Sequence, residues 1–460
     1  MGNAMAVIMA AGEGKRMRSK HPKPLFRLCG RPILEYVMAA ANEACGTKPV
    51  IIVGKGHEEI REAIGDRAVF VMQAEQLGTG HAVMMAREHL EKGPEHTVIL
   101  AGDMPFITAG TVEKLLNAVR NTAAAVLAAT MEDPAGYGRA VIRDGCVQKI
   151  IEDRDCTDEQ KRIKQVNSSV YCFKTQKLLE CIEKLKNDNA QGEYYLTDCI
   201  EMLTKAGEKV AAVISDAAEC MGINDRVQLA DAQRIMAHRI NTAHMQAGVT
   251  LTDPENTYID FDVEIGRDTT IYPGVVLEGD SKIGEDCILY PGSRICDSAI
   301  GNGVKIQNSV ILESRVGDNT TIGPYAYLRP NSNISAGCRI GDFVEIKNST
   351  VGEGSKVPHL SYIGDGSIGK GCNIGCGSIF VNYDGVYKHR TQVEDGAFIG
   401  CNANLVAPVT VGKDAYVAAG STITNDVPGE ALAIARERQV NKEGWAQKIK
   451  AMREAKKSGK

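Results

Sequence analysis

The chain has 460 residues, of which 43% are hydrophobic, and a formal net charge of −5 at pH 7. This length predicts two or three domains, each with enough apolar residues for its own core. A mildly acidic balance argues against nucleic acid as a partner, and no apolar run approaches the roughly 18 residues of a membrane span. The 14 Cys residues show neither paired spacing nor a zinc pattern, so we expect reduced thiols and a cytoplasmic protein.

The beginning of the chain predicts a strand followed by a glycine-rich loop. Residues 2–4 are typical of an expression-tag remnant, so we expect Met5 to be the natural start. Residues 6–10 predict a buried strand that leads into the sequence AGEGKRM at 11–17. The backbone N–H groups of such a loop can bind nucleotide phosphates. An ordinary strand-to-helix turn is the alternative, because the spacing matches neither a P-loop nor the dinucleotide fingerprint.

Alternating strand and helix patterns follow, and they predict a doubly wound α/β domain with a mostly parallel sheet. The predicted helices lie at 33–44, 58–64 and 78–89, and the predicted strands at 50–54, 69–73 and 97–101. The last of these strands leads to Asp103. A carboxylate at the carboxyl end of a parallel strand lies at the binding edge of the sheet. Asp103 is therefore a candidate ligand for the Mg²⁺ that accompanies a nucleoside triphosphate, with a turn or helix-capping residue as the alternative.

Five later segments carry polar side chains suited to a sugar nucleotide, although each alone is typical of a surface loop. They are residues 137–139, 151–152, 166–168, 192–198 and 222–226. Residues 226–248 lack Pro and have apolar residues at helical spacing, so they predict one long helix that ends at Gly248. This helix either connects two domains or is a plain packing element.

An aliphatic residue returns at every sixth position through most of residues 259–423, with short slips in phase. The longest run is Val316, Ile322, Leu328, Ile334, Ile340 and Ile346. Six residues is the period of neither a helix nor a half-buried strand, so the pattern predicts a repeat architecture. We predict a parallel β-helix, in which the repeated aliphatic residue is buried and Gly, Asn and Asp supply turns with positive φ.

Two places break the hexad pattern and are therefore functional candidates. Phe380 and Val393 lie thirteen residues apart. This gap predicts a loop, and inserted loops of such repeats commonly lie on the binding face. The other place is His359, which follows Pro358. Histidine titrates near neutral pH and is a candidate general base, with a surface or turn residue as the alternative.

The motifs of residues 5–226 together resemble those of sugar-1-phosphate nucleotidyltransferases. They are the loop at 10–17 with Pro22 and Lys23, then Gln73, residues 77–80, Gly102, Asp103, Gly138, Glu152, Asn167 and Asn224. With residues 192–198 and the hexad repeats, the whole chain resembles the bacterial family of bifunctional N-acetylglucosamine-1-phosphate uridyltransferases and glucosamine-1-phosphate acetyltransferases. One departure is Lys15, which stands where this family usually has Thr.

The resemblance implies an α/β doubly wound, Rossmann-like nucleotidyltransferase domain followed by a left-handed parallel β-helix of hexapeptide repeats. The implied segments are a uridyltransferase domain at 5–226, a linker helix at 227–248, an acetyltransferase β-helix at 249–433 and a basic tail at 434–460. It also implies a homotrimer that uses glucosamine-1-phosphate, acetyl-CoA and UTP, and that binds neither nucleic acid nor membrane. The tail would cover a neighbouring site or bind coenzyme phosphates, or it is a solubilising end.

The same resemblance assigns the residues of the nucleotide and sugar-nucleotide site. They are Met9, Ala10, Ala11, Gly12, Arg16, Lys23, Gln73, Gly78, Thr79, Ala101, Gly102, Asp103, Gly138, Glu152, Asn167 and Asn224. Asp103 and Asn224 would coordinate Mg²⁺, and Lys23 would contact the phosphates. The sugar phosphate attacks the nucleotide directly, so no side-chain nucleophile is expected.

In the β-helix, the resemblance makes His359 the acetyltransferase base. The sugar phosphate would contact Arg329, Lys347, Tyr362, Asn373, Asn382 and Lys388. Acetyl-CoA would contact Cys376, Asn382, Tyr383, Cys401, Ala419 and Arg436. Cys401 stands where many relatives have Ser. We interpret Cys376 as a contact rather than a nucleophile, because direct attack by the amine needs no acyl-enzyme.

Two other functions fit the same two-domain plan. One is a single-activity sugar-1-phosphate nucleotidyltransferase, such as one that forms ADP-glucose, with a regulatory β-helix. His359, Tyr362, Lys388 and the loop at 381–392 argue against it. The other is a non-catalytic assembly subunit. Asp103, Asn224 and Lys23, present together with the acetyl-transfer residues, argue against that function, because a scaffold needs neither set.

Overall fold

The computed structural model describes residues 4–189 and 191–458 of the chain. Residues 2 and 3 of the expected tag remnant, and the last two residues of the basic tail, lie outside the described residues. The chain divides into two units, with the boundary in the sequence between Ile240 and Asn241. The functional division at residues 226, 248 and 433 stays a prediction.

A nine-stranded sheet forms the centre of the N-terminal unit within the described residues. In spatial order its strands are Val69–Met72, Val50–Val53, Ala4–Ala10, His96–Ala101, Gln165–Lys174, Ala124–Thr130, Val210–Ile214, Cys146–Ile151 and Arg139–Arg143. The first four strands are parallel to one another. Strand Gln165–Lys174 is antiparallel to the strands on both sides of it, and Cys146–Ile151 is antiparallel to Arg139–Arg143.

Of the nine strands described in this sheet, seven run in one direction, so the prediction of a mostly parallel sheet is confirmed; the two exceptions are Gln165–Lys174 and Cys146–Ile151. Strands 139–143 and 146–151 are joined by Asp144 and Gly145, whose φ values are 49° and 73°. Two consecutive residues with positive φ form the tight turn of a β-hairpin. A turn this short leaves no room for a crossover helix, so the two strands run antiparallel.

Helices cover both faces of the sheet and bury one apolar cluster on each face. They are Ile33–Cys45, Glu58–Ile64, Thr79–Met85, Arg87–Glu91, Ala109–Val119, Thr175–Ile182 and Asp198–Lys205. Leu34 and Leu115 are fully buried in one cluster, and Val83 and Leu178 in the other. The single helix predicted at 78–89 is instead two helices, which separate at Ala86 with φ −84° and ψ 1°.

A long helix, Arg226–Gln246, follows the sheet domain. The Asp225 carboxylate accepts hydrogen bonds from the backbone N–H groups of Val227 and Gln228, both at 2.9 Å, and so caps the helix. Gly248, just beyond the helix, has a φ of 100°, which glycine adopts readily. The helix predicted at 226–248 is thus confirmed to within two residues. None of the helices in the described part of the chain combines the length and the apolar character needed to cross a bilayer.

The C-terminal unit is a parallel β-helix built from three parallel sheets. The first sheet contains Thr250–Leu251, Thr270–Ile271, Ile288–Leu289, Lys305–Ile306, Thr321–Ile322, Arg339–Asp342, Lys356–His359, Asn373–Ile374, Phe398–Ile399, Tyr416–Val417 and Leu432–Ala433. The second sheet contains Tyr258–Ile259, Val276–Glu278, Arg294–Cys296, Val310–Leu312, Tyr327–Leu328, Glu345–Lys347, Tyr362–Gly364, Ile379–Val381, Asn404–Val406 and Thr422–Ile423. The third sheet contains Glu264–Ile265, Lys282–Ile283, Ala299–Ile300, Arg315–Val316, Asn333–Ile334, Thr350–Val351, Gly366–Ile368, Thr391–Val393 and Val409–Val411. A further helix, Trp445–Lys457, lies near the C-terminus.

The repeated aliphatic residues form the core of the β-helix. Leu328, Ile346 and Ile363 are in register on three successive coils, and none of them is accessible to solvent. Asp268 and Asn319 are two of the turn residues, with φ of 61° and 56°. Both the buried hexad position and the positive-φ turns are therefore confirmed.

The loop predicted between Phe380 and Val393 is also confirmed. It spans residues 382–390, between strands Ile379–Val381 and Thr391–Val393. The Asp384 carboxylate accepts hydrogen bonds from the backbone N–H groups of Val386 and Tyr387, at 2.7 and 2.6 Å, and its other oxygen lies 2.7 Å from Nε2 of His389. These contacts lower the pKa of Asp384 to about 2, so its charge holds the loop in shape at neutral pH.

Replacing one core aliphatic residue tests the role of the hexad position. We expect Ile346→Ala to lower the free energy of unfolding by about 2–5 kcal/mol, because the methyl groups lost are fully buried. The matched control is Ile434→Ala, since Ile434 is 60% exposed and should cost less than about 1 kcal/mol. Urea unfolding followed by far-UV circular dichroism measures both. Equal losses in the two variants would contradict the buried-hexad interpretation.

Candidate active sites

A cavity of about 490 Å³ opens at the carboxyl ends of the parallel strands Ala4–Ala10 and His96–Ala101. It is lined by all sixteen residues predicted for the nucleotide and sugar-nucleotide site: Met9, Ala10, Ala11, Gly12, Arg16, Lys23, Gln73, Gly78, Thr79, Ala101, Gly102, Asp103, Gly138, Glu152, Asn167 and Asn224. Residues as far apart in sequence as 9 and 224 thus form the wall of one cavity. Their individual roles stay predictions.

Opposite charges converge at one end of this cavity. The Nζ atom of Lys23 lies 2.5 Å from Oδ2 of Asp103 and 3.3 Å from Oδ1 of Asn224. The Arg16 guanidinium also donates to Oδ1 of Asn224, at 2.8 Å. Two oxygens that converge on one cation, beside a second cation, form a place where Mg²⁺ and phosphate oxygens would both find partners.

The other end of the cavity carries a buried carboxyl group. Burial raises the pKa of Glu152 above its usual range, and a hydrogen bond from the Thr197 hydroxyl at 3.1 Å partly opposes this effect. The Asn167 amide donates to the Tyr171 hydroxyl at 2.7 Å, which fixes its orientation. Such acceptors and donors suit the hydroxyl and amide groups of a sugar.

Lys15, the departure from the expected motif, lies outside the cavity wall. Its side chain is 85% exposed and forms an ion pair with Glu13 at 2.7 Å. It is absent from the residues that line the cavity in the described structure. The charge at position 15 therefore leaves the wall formed by the loop unchanged.

Sequence reasoning missed several residues of the cavity wall. They include Pro24, Gln76, Ala82, Met104, Gly136, Ser169 and Cys220. Gln76 lies over the glycine-rich loop at 11–17, because its amide donates to the Ala11 carbonyl at 2.6 Å. No periodicity marks Gln76, and only its place between Gln73 and Gly78 could have drawn attention to it.

On the β-helix, three cations gather on the second sheet. Lys347 pairs in register with Gly364 on the next coil, and the N–H of Arg329, on the preceding coil, donates to Ile346 at 2.8 Å. Lys388 reaches the same place from the loop, and its proximity lowers the pKa of Lys347. This density of positive charge suits a phosphate group.

A glycine makes room beside these cations. A Cβ atom at Gly364 would stand 2.5 Å from the Tyr362 hydroxyl and 2.8 Å from Nδ2 of Asn382. That amide donates to Asp365 at 2.5 Å, an acceptor that sequence reasoning missed. Tyr362 and Asn382 therefore lie together, whereas Asn373, predicted with them, lies on the first sheet.

His359 forms a pair with a carboxylate on the preceding coil. Asp342 and His359 are in register, and Nδ1 of His359 lies 2.5 Å from Oδ1 of Asp342. The hydrogen bond holds the pKa of Asp342 below its usual range. A carboxylate that binds Nδ1–H leaves Nε2 free to accept a proton. Sequence reasoning missed Asp342, although a spacing of one coil before His359 could have identified it.

The residues predicted for acetyl-CoA form a column along one corner of the β-helix. The N–H of Gly377 donates to His359 at 3.4 Å, that of Asn402 to Cys376 at 2.7 Å, and that of Gly420 to Cys401 at 2.8 Å. Ala419 and Arg436 continue the column, since a Cβ at Gly420 would lie 3.7 Å from Cδ of Arg436. Cys401 is exposed and Cys376 half-buried. Tyr383 lies in the loop, where its hydroxyl donates to Gly385 at 2.6 Å.

Comparison with known proteins assigns both units. Residues 6–206 match the family described as the MobA-like NTP transferase domain, and residues 262–297 and 390–425 match the six-repeat bacterial transferase hexapeptide family. A relative from Clostridium botulinum strain 657 is 51% identical over 448 residues, which are 96% of this chain and 98% of the relative. A relative from Caldanaerobacter subterraneus is 52% identical over 451 residues, which are 97% of this chain and 98% of the relative. Both are named Bifunctional protein GlmU.

The chain belongs to the GlmU family. It is therefore a bifunctional transferase whose hexapeptide repeats form a left-handed β-helix, as the resemblance implied. The alternatives of a single activity and of a scaffold are not supported, because GlmU relatives match both units over 96–97% of this chain. Membership also indicates small-molecule substrates, a divalent metal requirement and an oligomer.

The Asp342–His359 pair can be tested by removing one charge. We expect Asp342→Asn to slow acetyl transfer at least about 10-fold, because an amide no longer stabilises the charged imidazole. The matched control is Asp268→Asn, an exposed turn residue on a distant coil, which should retain the wild-type rate. Release of free coenzyme thiol measures both variants. An unchanged rate in Asp342→Asn would show that the carboxylate has no part in the reaction.

Proposed function

We propose that the chain acetylates glucosamine-1-phosphate with acetyl-CoA and then transfers UMP from UTP to the product. The second step gives UDP-N-acetylglucosamine and pyrophosphate. The observation that supports both activities is the presence of two chemically different sites on one GlmU chain. One is a cavity that contains the cations Lys23 and Arg16, and the other is a β-helix that carries the Asp342–His359 pair and a cluster of three cations.

In the uridylyl transfer, a phosphate oxygen of the sugar attacks the α-phosphorus of UTP. The bond to the β-phosphate oxygen breaks, and pyrophosphate leaves. Lys23 and Arg16 stabilise the negative charge that gathers on the phosphate oxygens, together with the N–H groups of the loop at 9–12. Gln73, Gly78 and Thr79 hold the uridine, while Gly138, Glu152 and Asn167 hold the sugar.

Asp103 and Asn224 would hold Mg²⁺, which would neutralise charge on the phosphates. Their oxygens suit this ion because they already converge on one cation, the Lys23 ammonium, at 2.5 and 3.3 Å. Lys23 then exchanges part of its contact with Asp103 for the anionic substrate.

In the acetyl transfer, the amine of glucosamine-1-phosphate attacks the thioester carbonyl. A C–N bond forms and the C–S bond breaks. His359 takes the ammonium proton on Nε2 and returns it to the departing thiolate, while Asp342 stabilises the charged ring through Nδ1. Arg329, Lys347 and Lys388 bind the sugar phosphate, with Tyr362, Asn373 and Asn382 as further contacts. Acetyl-CoA lies along the column of Cys376, Cys401, Ala419 and Arg436, with Asn382 and Tyr383 beside it.

The working form is a cytoplasmic homotrimer with small-molecule partners only. The column beside His359 supports an assembled site, because exposed residues such as Cys401 leave one side of the coenzyme path uncovered in a single chain. A neighbouring β-helix would close that side. The C-terminal helix Trp445–Lys457 is the segment of this chain available to reach such a neighbour.

One reaction mixture tests both activities. The protein is incubated with glucosamine-1-phosphate, acetyl-CoA, UTP and Mg²⁺, and free thiol and pyrophosphate are followed together. We expect both products from the wild type. His359→Ala should slow thiol release by about 10²–10⁴-fold, the contribution of a general base. Asp103→Asn should slow pyrophosphate release by a similar factor when N-acetylglucosamine-1-phosphate is supplied.

Each variant serves as a folding control for the other, because it should retain the activity of the other unit. Asp144→Asn is the matched control for Asp103, since Asp144 is an exposed turn residue whose positive φ asparagine also tolerates. Pyrophosphate without thiol from the wild type would refute the acetyl-transfer half of the proposal. The absence of both products would refute both halves.

The oligomeric state is measured separately. Sedimentation equilibrium of the full chain should give three times the chain mass of 49.5 kDa. A monomer or dimer that still releases thiol at the full rate would contradict the trimer.

A further inference from the structure

Gln73 is a buried amide at the end of strand Val69–Met72 and lines the nucleotide cavity. Only 4% of the residue is exposed, and its backbone N–H donates to the Val53 carbonyl at 2.8 Å. Its side-chain Nε2 lies 3.1 Å from the Gly78 carbonyl oxygen and 3.1 Å from Nδ1 of His81. His81 itself does not line this cavity within the described residues.

These two contacts determine which way the amide faces. The Gly78 carbonyl only accepts hydrogen bonds, so the NH₂ end of Gln73 has to point toward it. The second hydrogen of that NH₂ then goes to Nδ1 of His81, which therefore carries no proton and leaves Nε2 as the protonated ring nitrogen. Both donors of Gln73 are occupied, and Oε1 remains as the group it offers to a ligand.

The ring of His81 is itself held in place. Its centroid lies 6.3 Å from that of Tyr194, whose N–H donates to Leu77 at 2.8 Å and whose carbonyl accepts from Gly80 at 2.7 Å. The segment at 192–198 thereby supports the turn that contains Gly78. A Cβ at Gly78 would stand 2.6 Å from the Tyr194 carbonyl, so these two segments are in close contact.

Pyrimidine bases differ at the position that such an acceptor would contact. Uracil and thymine present an N–H at ring position 3, between two carbonyl oxygens. Cytosine presents an unprotonated nitrogen there, whose lone pair would face the lone pairs of Oε1. A buried acceptor opposite an acceptor is left without a hydrogen bond, which costs about 1–3 kcal/mol.

We propose that His81 is a positioning residue that sets nucleobase specificity. By accepting a hydrogen bond from Gln73, it keeps Oε1 turned toward the base, so that uracil is accepted and cytosine rejected. This inference rests on the proposed uridylyl transfer. Without the Nδ1 acceptor, one of the two contacts that hold the NH₂ group is gone, so turning the Gln73 amide to present NH₂ to N3 of cytosine costs only the contact to the Gly78 carbonyl.

The test compares UTP, CTP and dTTP as substrates with N-acetylglucosamine-1-phosphate, using pyrophosphate release. In His81→Leu, we expect the kcat/KM ratio of UTP to CTP to fall by about 10- to 100-fold, the range for an unpaired buried polar group. In His81→Asn, the side-chain oxygen replaces Nδ1 as acceptor, and the ratio should stay within about threefold of wild type. The UTP to dTTP ratio should not change in either variant, because both bases carry the same N–H.

The outcomes separate this inference from the proposed function. A wild type that releases no pyrophosphate with any nucleotide refutes uridylyl transfer itself. A wild type active with UTP, beside a His81→Leu variant with an unchanged UTP to CTP ratio, overturns the role of His81 alone. Equal losses for UTP, CTP and dTTP, or equal losses of the UTP to CTP ratio in the Leu and Asn variants, would also overturn it, because they indicate general structural damage.

A measurement on the wild type keeps the inference testable if the variants fail to fold. The ¹⁵N NMR spectrum of the His81 ring should show an unprotonated Nδ1 and a protonated Nε2 at neutral pH. A ring with its proton on Nδ1 would overturn the proposal, because that tautomer cannot accept a hydrogen bond from Gln73.

Discussion

Burial of one aliphatic side chain in every six residues is the constraint on which the C-terminal unit depends. Each coil must stack in register on the next to remove these side chains from water, and stacked strands lie about 4.8 Å apart. The same stacking brings the outward-facing residues of neighbouring coils close together. Asp342 and His359 meet in this way, as do Lys347 and the gap at Gly364. A slip of one residue in a coil would separate such pairs.

The N-terminal unit assembles its site by a different rule. Lys23 lies 80 residues before Asp103 and 201 residues before Asn224, yet all three meet at one end of the cavity. Parallel strands bring their carboxyl ends to one edge, so residues that follow different strands converge there. The Lys23 ammonium at this edge is already paired with Asp103, so an anionic substrate exchanges partners with it instead of meeting an isolated charge.

The sequence was most informative where a physical period repeats. The hexads predicted the β-helix and the loop at 382–390, because the same burial requirement recurs on every coil. Residue pairs that depend on three-dimensional contact were harder to predict from the sequence. Strand Gln165–Lys174 is antiparallel to its neighbours, and nothing in its composition distinguishes that direction. Asp342 and His81 act through a second residue, so neither falls in a motif, although their partners His359 and Gln73 were both predicted.

The two sites also differ in shape, and the difference follows from what each has to distinguish. A base is identified by the direction of a few hydrogen bonds, which requires a buried amide such as Gln73 with both donors already committed. A long coenzyme needs a path more than a pocket. The corner column from Cys376 through Cys401 to Ala419 spans three coils, or about 10 Å at the spacing of stacked strands. In the proposed acetyl-CoA site, repetition of one turn along the β-helix axis would provide that path. His359 lies one coil before Cys376, where the column begins.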